Sequence, residues 1–119
     1  MARILVADDA MFMRETIKKA LLAGKHEVVG EADNGRTAVQ QFKRTNPDLV
    51  LMDITMPQQD GLSAMTEILQ GSPEARIVIC SALGQEEKVM EAMAAGARDY
   101  VTKPFNADQL LAAVARALE

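Results

Sequence analysis

Five polar residues stand out because together they could perform phosphoryl chemistry. They are Asp8, Asp9, Asp53, Ser81 and Lys103. Carboxylates that are held together repel, so their negative charges need a divalent cation in addition to the Lys103 ammonium. Hard oxygen ligands in this small number favour Mg²⁺ beside a phosphate group. A carboxylate next to Mg²⁺ and a lysine predicts nucleophilic attack on phosphorus, which gives an aspartyl phosphate.

These residues follow short apolar runs that could bring them together. The runs are Ile4–Ala7, Val28–Ala32, Leu49–Met52, Ile77–Cys80 and Tyr100–Val101, of which the second is the weakest. Each run is too short for a helix, and its continuous apolar character favours a strand that is buried on both faces of a parallel sheet. Because ligands bind beyond the carboxyl ends of such strands, we expect the acids, the hydroxyl and the amine to meet there.

Stretches of helical period separate these runs. Their apolar stripes are Met13, Ile17, Leu21; Ala38, Val39, Phe42; Leu62, Met65, Ile68, Leu69; Val89, Met90, Met93, Ala94; and Leu110, Leu111, Val114, Leu118. Asn34 and Asn106 are predicted to cap two of the helices. Strands that alternate with helices predict a single α/β domain with helices on both faces of the sheet. The pattern alone leaves the strand order open.

Composition excludes several other classes of protein. The chain has 119 residues, 49% of them hydrophobic, which is enough to bury the core of one domain spanning residues 1–119. A net charge of −4 and the absence of tryptophan argue against a nucleic-acid partner. The single Cys80 excludes an internal disulfide, and no apolar run could span a membrane. With no signal-peptide pattern in its first residues, the chain is expected to be cytoplasmic.

The acidic cluster could also belong to a Mg²⁺-dependent phosphohydrolase, which is the main enzymatic alternative. Such enzymes usually carry Asp-x-Asp after the first strand, whereas Asp8 and Asp9 are adjacent. The only histidine, His26, lies away from the predicted site, and Gly30 and Gly35 lack the lysine of a phosphate-binding loop. We therefore disfavour this alternative, which steady turnover of phosphate esters would support.

The motifs resemble those of the receiver domains of bacterial two-component signalling. The matching segments are Ile4–Asp9, Asp53–Pro57 with Asp60 and Gly61, Cys80–Ala82, and Gly96–Phe105. They cover nearly the whole chain in the order and spacing of that family. The resemblance implies a flavodoxin-like fold, in which a doubly wound, five-stranded parallel sheet of strand order 2-1-3-4-5 is surrounded by five helices.

The resemblance also implies the role of each acidic residue. Asp53 corresponds to the phosphoacceptor of the family. Asp8, Asp9, Asp53 and the backbone carbonyl of Thr55 correspond to the Mg²⁺ ligands. In the family the residue at Asp9 binds the ion directly, and the one at Asp8 binds mostly through water.

Three further residues match family positions around the phosphoryl group. Lys103 corresponds to the residue that pairs with the phosphoryl group, and its bond to Pro104 is typically cis in the family. Ser81 stands where the family has threonine or serine. Tyr100 stands where it has a switching aromatic residue.

Residues 8–14 and 80–85 resemble stand-alone chemotaxis regulators more than the receivers of transcription factors. This implies a monomeric phosphoacceptor that promotes its own phosphorylation and dephosphorylation but is not an enzyme. A CheA-like histidine kinase would supply the phosphoryl group, a FliM-like flagellar motor switch protein would be the target, and a separate phosphatase could assist. The alternative is a receiver domain or phosphorelay intermediate of another pathway, including a fragment of a longer regulator with DNA-binding or enzymatic output.

Structural interpretations compete with these roles at several positions. Asp8 and Asp9 could cap the first helix, Ser81 could cap the fourth, and Lys103 could be a solvated lysine. Tyr100 could be an ordinary core residue. The methionines are mostly interpreted as core filler, with Met11, Met13 and Met56 as possible partner contacts at the acidic edge. Asp60-Gly61 is interpreted as a turn and helix start.

Overall fold

The computed structural model describes residues 1–119, in which strands and helices alternate. The strands are β1 (Arg3–Ala7), β2 (Glu27–Ala32), β3 (Leu49–Asp53), β4 (Ile77–Ser81) and β5 (Asp99–Thr102). The helices are α1 (Met11–Ala23), α2 (Gly35–Thr45), α3 (Gly61–Gly71), α4 (Glu86–Ala95) and α5 (Ala107–Leu118). None of these helices is both long enough and apolar enough to cross a membrane.

The strands form one parallel sheet in the order β2-β1-β3-β4-β5. This confirms the predicted α/β class and the strand order implied by the family resemblance. The register places Ala7 beside Met52 and Asp53 beside Cys80, so the strands that carry the acids end at the same level. The carboxyl edge of the sheet is therefore formed by β1, β3, β4 and β5 together.

The core lies on both faces of the sheet, as continuous apolar strands predict. One face buries Leu5, Val50 and Met52 against residues of α2, α3 and α4. The opposite face buries Ile4 and Leu49 against residues of α1 and α5. Each such side chain stabilises the fold by roughly 1.5–3 kcal/mol, so this layered packing fixes the strand ends that carry the site.

Capping residues determine where several helices begin. The Asn34 side chain accepts a hydrogen bond from the Thr37 amide at 2.8 Å, and Asn106 forms a reciprocal capping box with Gln109. Both caps were expected from the sequence. Asp60 accepts from the Ser63 amide at 2.7 Å, which confirms the interpretation of this position as a helix start.

The predicted apolar stripe of α4 is wrong in one respect, because most of it faces solvent. Ala92 is the only buried residue of this helix, while Met90 is 72% and Met93 is 37% exposed. The helix packs on the core through Ala92 and the partly buried Val89, so its methionines face outward. Among the methionines expected at the acidic edge, Met56 is buried, Met13 is partly buried against the core, and Met11 is exposed.

Candidate functional site

Three carboxylates meet at the carboxyl edge of the sheet, as the sequence predicts. Asp8 and Asp9 directly follow β1, and Asp53 is the last residue of β3. One carboxylate oxygen from each lies within 4.8 Å of the others. Asp8 and Asp53 are buried whereas Asp9 is exposed, so the cluster opens to solvent on the Asp9 side. These oxygens fit Mg²⁺, which prefers carboxylates and retains several waters.

Lys103 is held against the carboxylates by an ion pair and is not a solvated surface lysine. Its Nζ lies 2.8 Å from Asp8 Oδ2 and 3.4 Å from Asp53 Oδ1. The Lys103 amide donates to the carbonyl of Ser81 at 2.7 Å, which fixes the loop after β5, and the bond to Pro104 is cis. The ammonium is therefore positioned beside the acid that is predicted to react.

Electrostatics at the cluster favour an additional cation. Burial, and then the charge of Asp8, raise the pKa of Asp53 to about 6 despite the opposing effect of Lys103. Burial lowers the pKa of Lys103, but its hydrogen bond to Asp8 and the charge of Asp53 outweigh that effect, so the pKa of Lys103 is raised. One ammonium thus leaves part of the negative charge of three carboxylates unbalanced, which a divalent ion would offset.

Asp8 also organises its own loop. Its Oδ1 accepts a hydrogen bond from the Ala10 amide at 2.9 Å, while α1 itself has Ala10 at its N-cap and no side-chain cap. The predicted alternative that these acids simply cap the helix is therefore wrong.

Arg14 donates from Nη1 to the Asp8 carbonyl at 2.7 Å and from Nε to Glu31 at 3.0 Å. In the sequence, the only signal for Arg14 was its place in the segment 8–14 that resembles chemotaxis regulators.

Gly61 has a steric role that the sequence interpretation missed. A Cβ atom at this position would lie 1.8 Å from the carbonyl oxygen of Asp53, which no side chain permits. The Gly61 amide donates to the Ile54 carbonyl at 2.7 Å. The start of α3 therefore rests directly on the backbone that carries Asp53. The signal available in the sequence was a glycine directly after the capping Asp60.

Ser81 is the last residue of β4 and is buried. Its Oγ lies 3.4 Å from both the Val101 carbonyl oxygen and Thr102 Oγ1, at the long end of the hydrogen-bond range. The residue before α4 is Gln85, so the interpretation of Ser81 as a helix cap is wrong. The hydroxyl is thus only weakly held in its place beside β5.

Tyr100 lies on β5 with 45% of its surface exposed, so the interpretation as an ordinary core residue is wrong. The side chain borders an open groove of about 330 Å³ between β5, α4 and the loop after β4. The groove is lined by Ser81, Ala82, Leu83, Glu86, Val89, Met90, Tyr100 and Thr102. The groove offers space into which the aromatic ring could turn.

Thr55 lies in the loop after β3, two residues beyond Asp53, and its side chain is tied to a second loop. Gln85 Nε2 donates to Thr55 Oγ1 at 2.8 Å, and the Ala82 amide donates to Gln85 Oε1 at 2.7 Å. The sequence interpretation missed Gln85 because its partner is thirty positions away. Its only signal was its place in the segment 80–85 that resembles chemotaxis regulators.

Comparison with known proteins supports the resemblance found in the sequence. Residues 4–115 match the model of the response regulator receiver domain family. The chain is 52% identical over 116 residues to the chemotaxis protein CheY of Bacillus subtilis strain 168, with 98% of this chain and 97% of that protein covered. Similarity of this extent involves the whole domain.

Two further similarities are to a longer regulatory protein and to a solved structure of a complex. The chain is 39% identical over 117 residues to the regulatory protein AtoC of Escherichia coli K12, covering 98% of this chain and 25% of that protein. The crystal structure of a complex of CheX, CheY, BeF₃ and Mg²⁺ from Borrelia burgdorferi superposes with a TM-score of 0.90 at 30% identity, covering 94% of this chain and 85% of that chain. The domain therefore matches a protein chain of similar length and also one part of a longer protein.

Proposed function

The chain belongs to the response regulator receiver domain family, and on that premise we propose that it is a signalling switch in which Asp53 accepts a phosphoryl group from a histidine kinase. Receiver domains are signalling phosphoacceptors that bind Mg²⁺ at an acidic pocket. One observation carries the proposal for this chain: the buried Asp53 carboxylate lies 3.4 Å from the Lys103 ammonium within a group of three carboxylates.

In the proposed reaction, a carboxylate oxygen of Asp53 attacks the phosphorus of a phosphohistidine. The new O–P bond forms as the P–N bond breaks, and the imidazole of the kinase leaves. With a pKa of about 6, Asp53 is mostly ionised at neutral pH and can act as the nucleophile. Lys103 pairs with the phosphoryl oxygens. Asp8, Asp9, Asp53 and the carbonyl of Thr55 would hold Mg²⁺, which supplies positive charge next to the phosphoryl group.

Phosphorylation then shifts the balance between two conformations. The phosphoryl group adds charge and acceptor oxygens beside Ser81, whose hydroxyl is weakly held at 3.4 Å. The loop after β4 moves toward Asp53, and Tyr100 turns into the adjoining groove of about 330 Å³. Because this is a population shift, the unphosphorylated protein binds the same target more weakly.

The proposed output is chemotaxis, with the flagellar motor switch protein as the target. The similarity to CheY over 97% of that protein supports this assignment. The exposed apolar residues Leu83, Met90 and Tyr100, which border one groove, offer a surface for such a partner. In this proposal residues 1–119 act as a cytoplasmic monomer that promotes its own phosphorylation and dephosphorylation, and a separate phosphatase can assist.

A titration tests the proposal directly. The protein is titrated with a peptide from the N-terminus of the motor switch protein FliM, in the presence of Mg²⁺, before and after addition of acetyl phosphate. Binding should tighten at least about fivefold with the donor, and Asp53→Asn should abolish the gain. If intact mass confirms phosphorylation but binding of the peptide is unchanged, the protein is still a phosphorylation switch, and the motor is excluded as its target. An adduct on Asp53→Asn that resists hydroxylamine would contradict the acyl phosphate chemistry.

A second candidate is a receiver module or phosphorelay intermediate in another two-component pathway. The observation that favours it is the match to AtoC, of which this chain spans only 25%. In that case the phosphorylated domain would act on a DNA-binding or enzymatic partner instead of the motor. Immunoblotting of cell extract for a larger protein, together with a negative result in the FliM titration, would support this candidate.

A further inference from the structure

The side chain of Gln85 joins two loops that flank the phosphoacceptor. Its Nε2 donates to Thr55 Oγ1 at 2.8 Å, and its Oε1 accepts from the Ala82 amide at 2.7 Å. Thr55 lies two residues after Asp53, and Gln85 is the residue immediately before α4. We refer to these two hydrogen bonds as the Gln85 bridge. The bridge connects the loop that directly follows the reacting acid to the first turn of α4.

Hydrogen bonds join the segment from Ala82 to Gln85 to the first turn of α4. The Gln85 amide donates to the Ala82 carbonyl at 3.3 Å, and the Gln85 side chain returns to the Ala82 amide. Gly84, in the middle, has a φ of +87°, which closes the turn. The same turn continues into the helix through the Val89 amide, which donates to the Gln85 carbonyl at 3.0 Å. A short hydrogen-bonded segment therefore connects Thr55 to the first turn of α4.

The two hydrogen bonds of the bridge involve neither the side chain of Ser81 nor that of Tyr100. Ser81 contacts β5 through two interactions of 3.4 Å, whereas both hydrogen bonds of the bridge are shorter than 3 Å. Helix α4 also has few anchors in the core, since Ala92 is its only buried residue and Val89 is only partly buried. A helix with so little buried surface follows a tether at its N-terminus more readily than a helix that is anchored by several core side chains.

From these contacts we infer that Gln85 is a positioning residue that transmits phosphorylation of Asp53 to α4 through the Thr55 hydroxyl. The inference rests on the proposed phosphorylation of Asp53. In this inference the bridge causes the movement of α4, whereas Ser81 controls the response of Tyr100. Removal of the Gln85 side chain or of the Thr55 hydroxyl should therefore reduce the movement of α4 and leave the response of Tyr100 unchanged.

Nuclear magnetic resonance of the full chain tests this separation. Amide chemical shifts of α4 and of Tyr100 are recorded before and after acetyl phosphate and Mg²⁺, and compared at equal phosphorylated fractions determined by intact mass. In Gln85→Ala and in Thr55→Val the α4 shifts should fall to less than half of the wild-type change, while the Tyr100 shift is retained. The double variant should be no worse than either single variant, because both remove the same link.

Thr55→Ser is the matched control, because it keeps the hydroxyl that accepts the hydrogen bond and should keep the full α4 response. Thermal unfolding of each variant checks that the fold is intact, and the two ends of the bridge provide independent variants. A full α4 response in Gln85→Ala, or additive losses in the double variant, would overturn the inference. Absence of phosphorylation at Asp53 in the wild type would instead overturn the proposed function itself, so the two failures are distinguishable.

Discussion

Asp53 occupies an environment that disfavours its own negative charge. Burial and the neighbouring Asp8 raise its pKa to about 6 in the folded state, against about 3.9 for an aspartate in an unfolded chain. The native state therefore binds this proton more tightly than the unfolded state. The resulting stability is fully present below about pH 4 and is lost as the pH rises through about 6. At neutral pH the ionised carboxylate of Asp53 is thus a charge that the fold tolerates at a cost.

Asp53→Asn should accordingly stabilise the protein at pH 7.5 in the absence of Mg²⁺. The free energy of unfolding is expected to rise by about 1–2 kcal/mol after allowance for partial solvent screening, with little gain at pH 4.5. Urea unfolding at the two pH values measures the difference. Asp108→Asn, in the exposed first turn of α5, is the control and should show no comparable gain. A variant that is less stable than the wild type at pH 7.5 would contradict this explanation.

At the scale of single elements, α3 shows how closely a helix can approach a residue of the candidate site. Its first residue, Gly61, has no room for a Cβ because the Asp53 carbonyl oxygen would be 1.8 Å away. Its last residue, Gly71, has nothing within 4 Å of the same hypothetical atom. One helix therefore contains two glycines whose replacement should have opposite effects.

Gly61→Ala should destabilise the protein by about 1–3 kcal/mol, because the helix must shift away from β3. The displaced Asp53 backbone should also slow phosphoryl uptake from acetyl phosphate. Gly71→Ala should be neutral or stabilise by up to about 1 kcal/mol, since alanine favours the helix. Urea unfolding measures the change in stability, and intact mass measures the rate of phosphoryl uptake. Equal stability losses in both variants would show that the contact with Asp53 is not the cause.

Elements also differ in how far the sequence could predict them. The strands were predictable because their apolar runs are short and continuous, and Asn34 and Asn106 were recognisable caps. The outward face of α4 was not predictable, because the rotation of a helix against the sheet depends on which side chain packs beneath it, here Ala92. Contacts between distant loops, such as Gln85 with Thr55, depend on loop conformations that no local pattern encodes.

For the whole molecule, the acidic cluster links ion binding to folding. The three carboxylates come together only in the folded chain, so a cation that binds them should stabilise the native state. Their assembly was predictable from the ends of the apolar runs. The unequal exposure of Asp8 and Asp9 was not, because it follows from the turn between β1 and α1 and from the contacts of Asp8 with Lys103 and Ala10.

Mg²⁺ should therefore raise the unfolding free energy of the wild type by about 1.4 kcal/mol when its concentration is ten times the dissociation constant. The effect should be smaller at pH 5, where Asp53 is largely protonated. Asp9→Asn should weaken Mg²⁺ binding at least about tenfold. Urea unfolding across a Mg²⁺ series, with Asp108→Asn as the control, gives the comparison. Equal stabilisation of Asp9→Asn and the wild type would exclude Asp9 as a ligand.

The ion pair between Asp8 and Lys103 joins residues that are 95 positions apart in the chain. During synthesis on the ribosome, the acids of β1 and β3 emerge long before the lysine that accompanies them. A growing chain that has not yet produced β5 thus holds the carboxylates without the ammonium, and has no complete site to modify. In the proposed switch, only a molecule whose translation has passed β5 carries the lysine that pairs with the phosphoryl group.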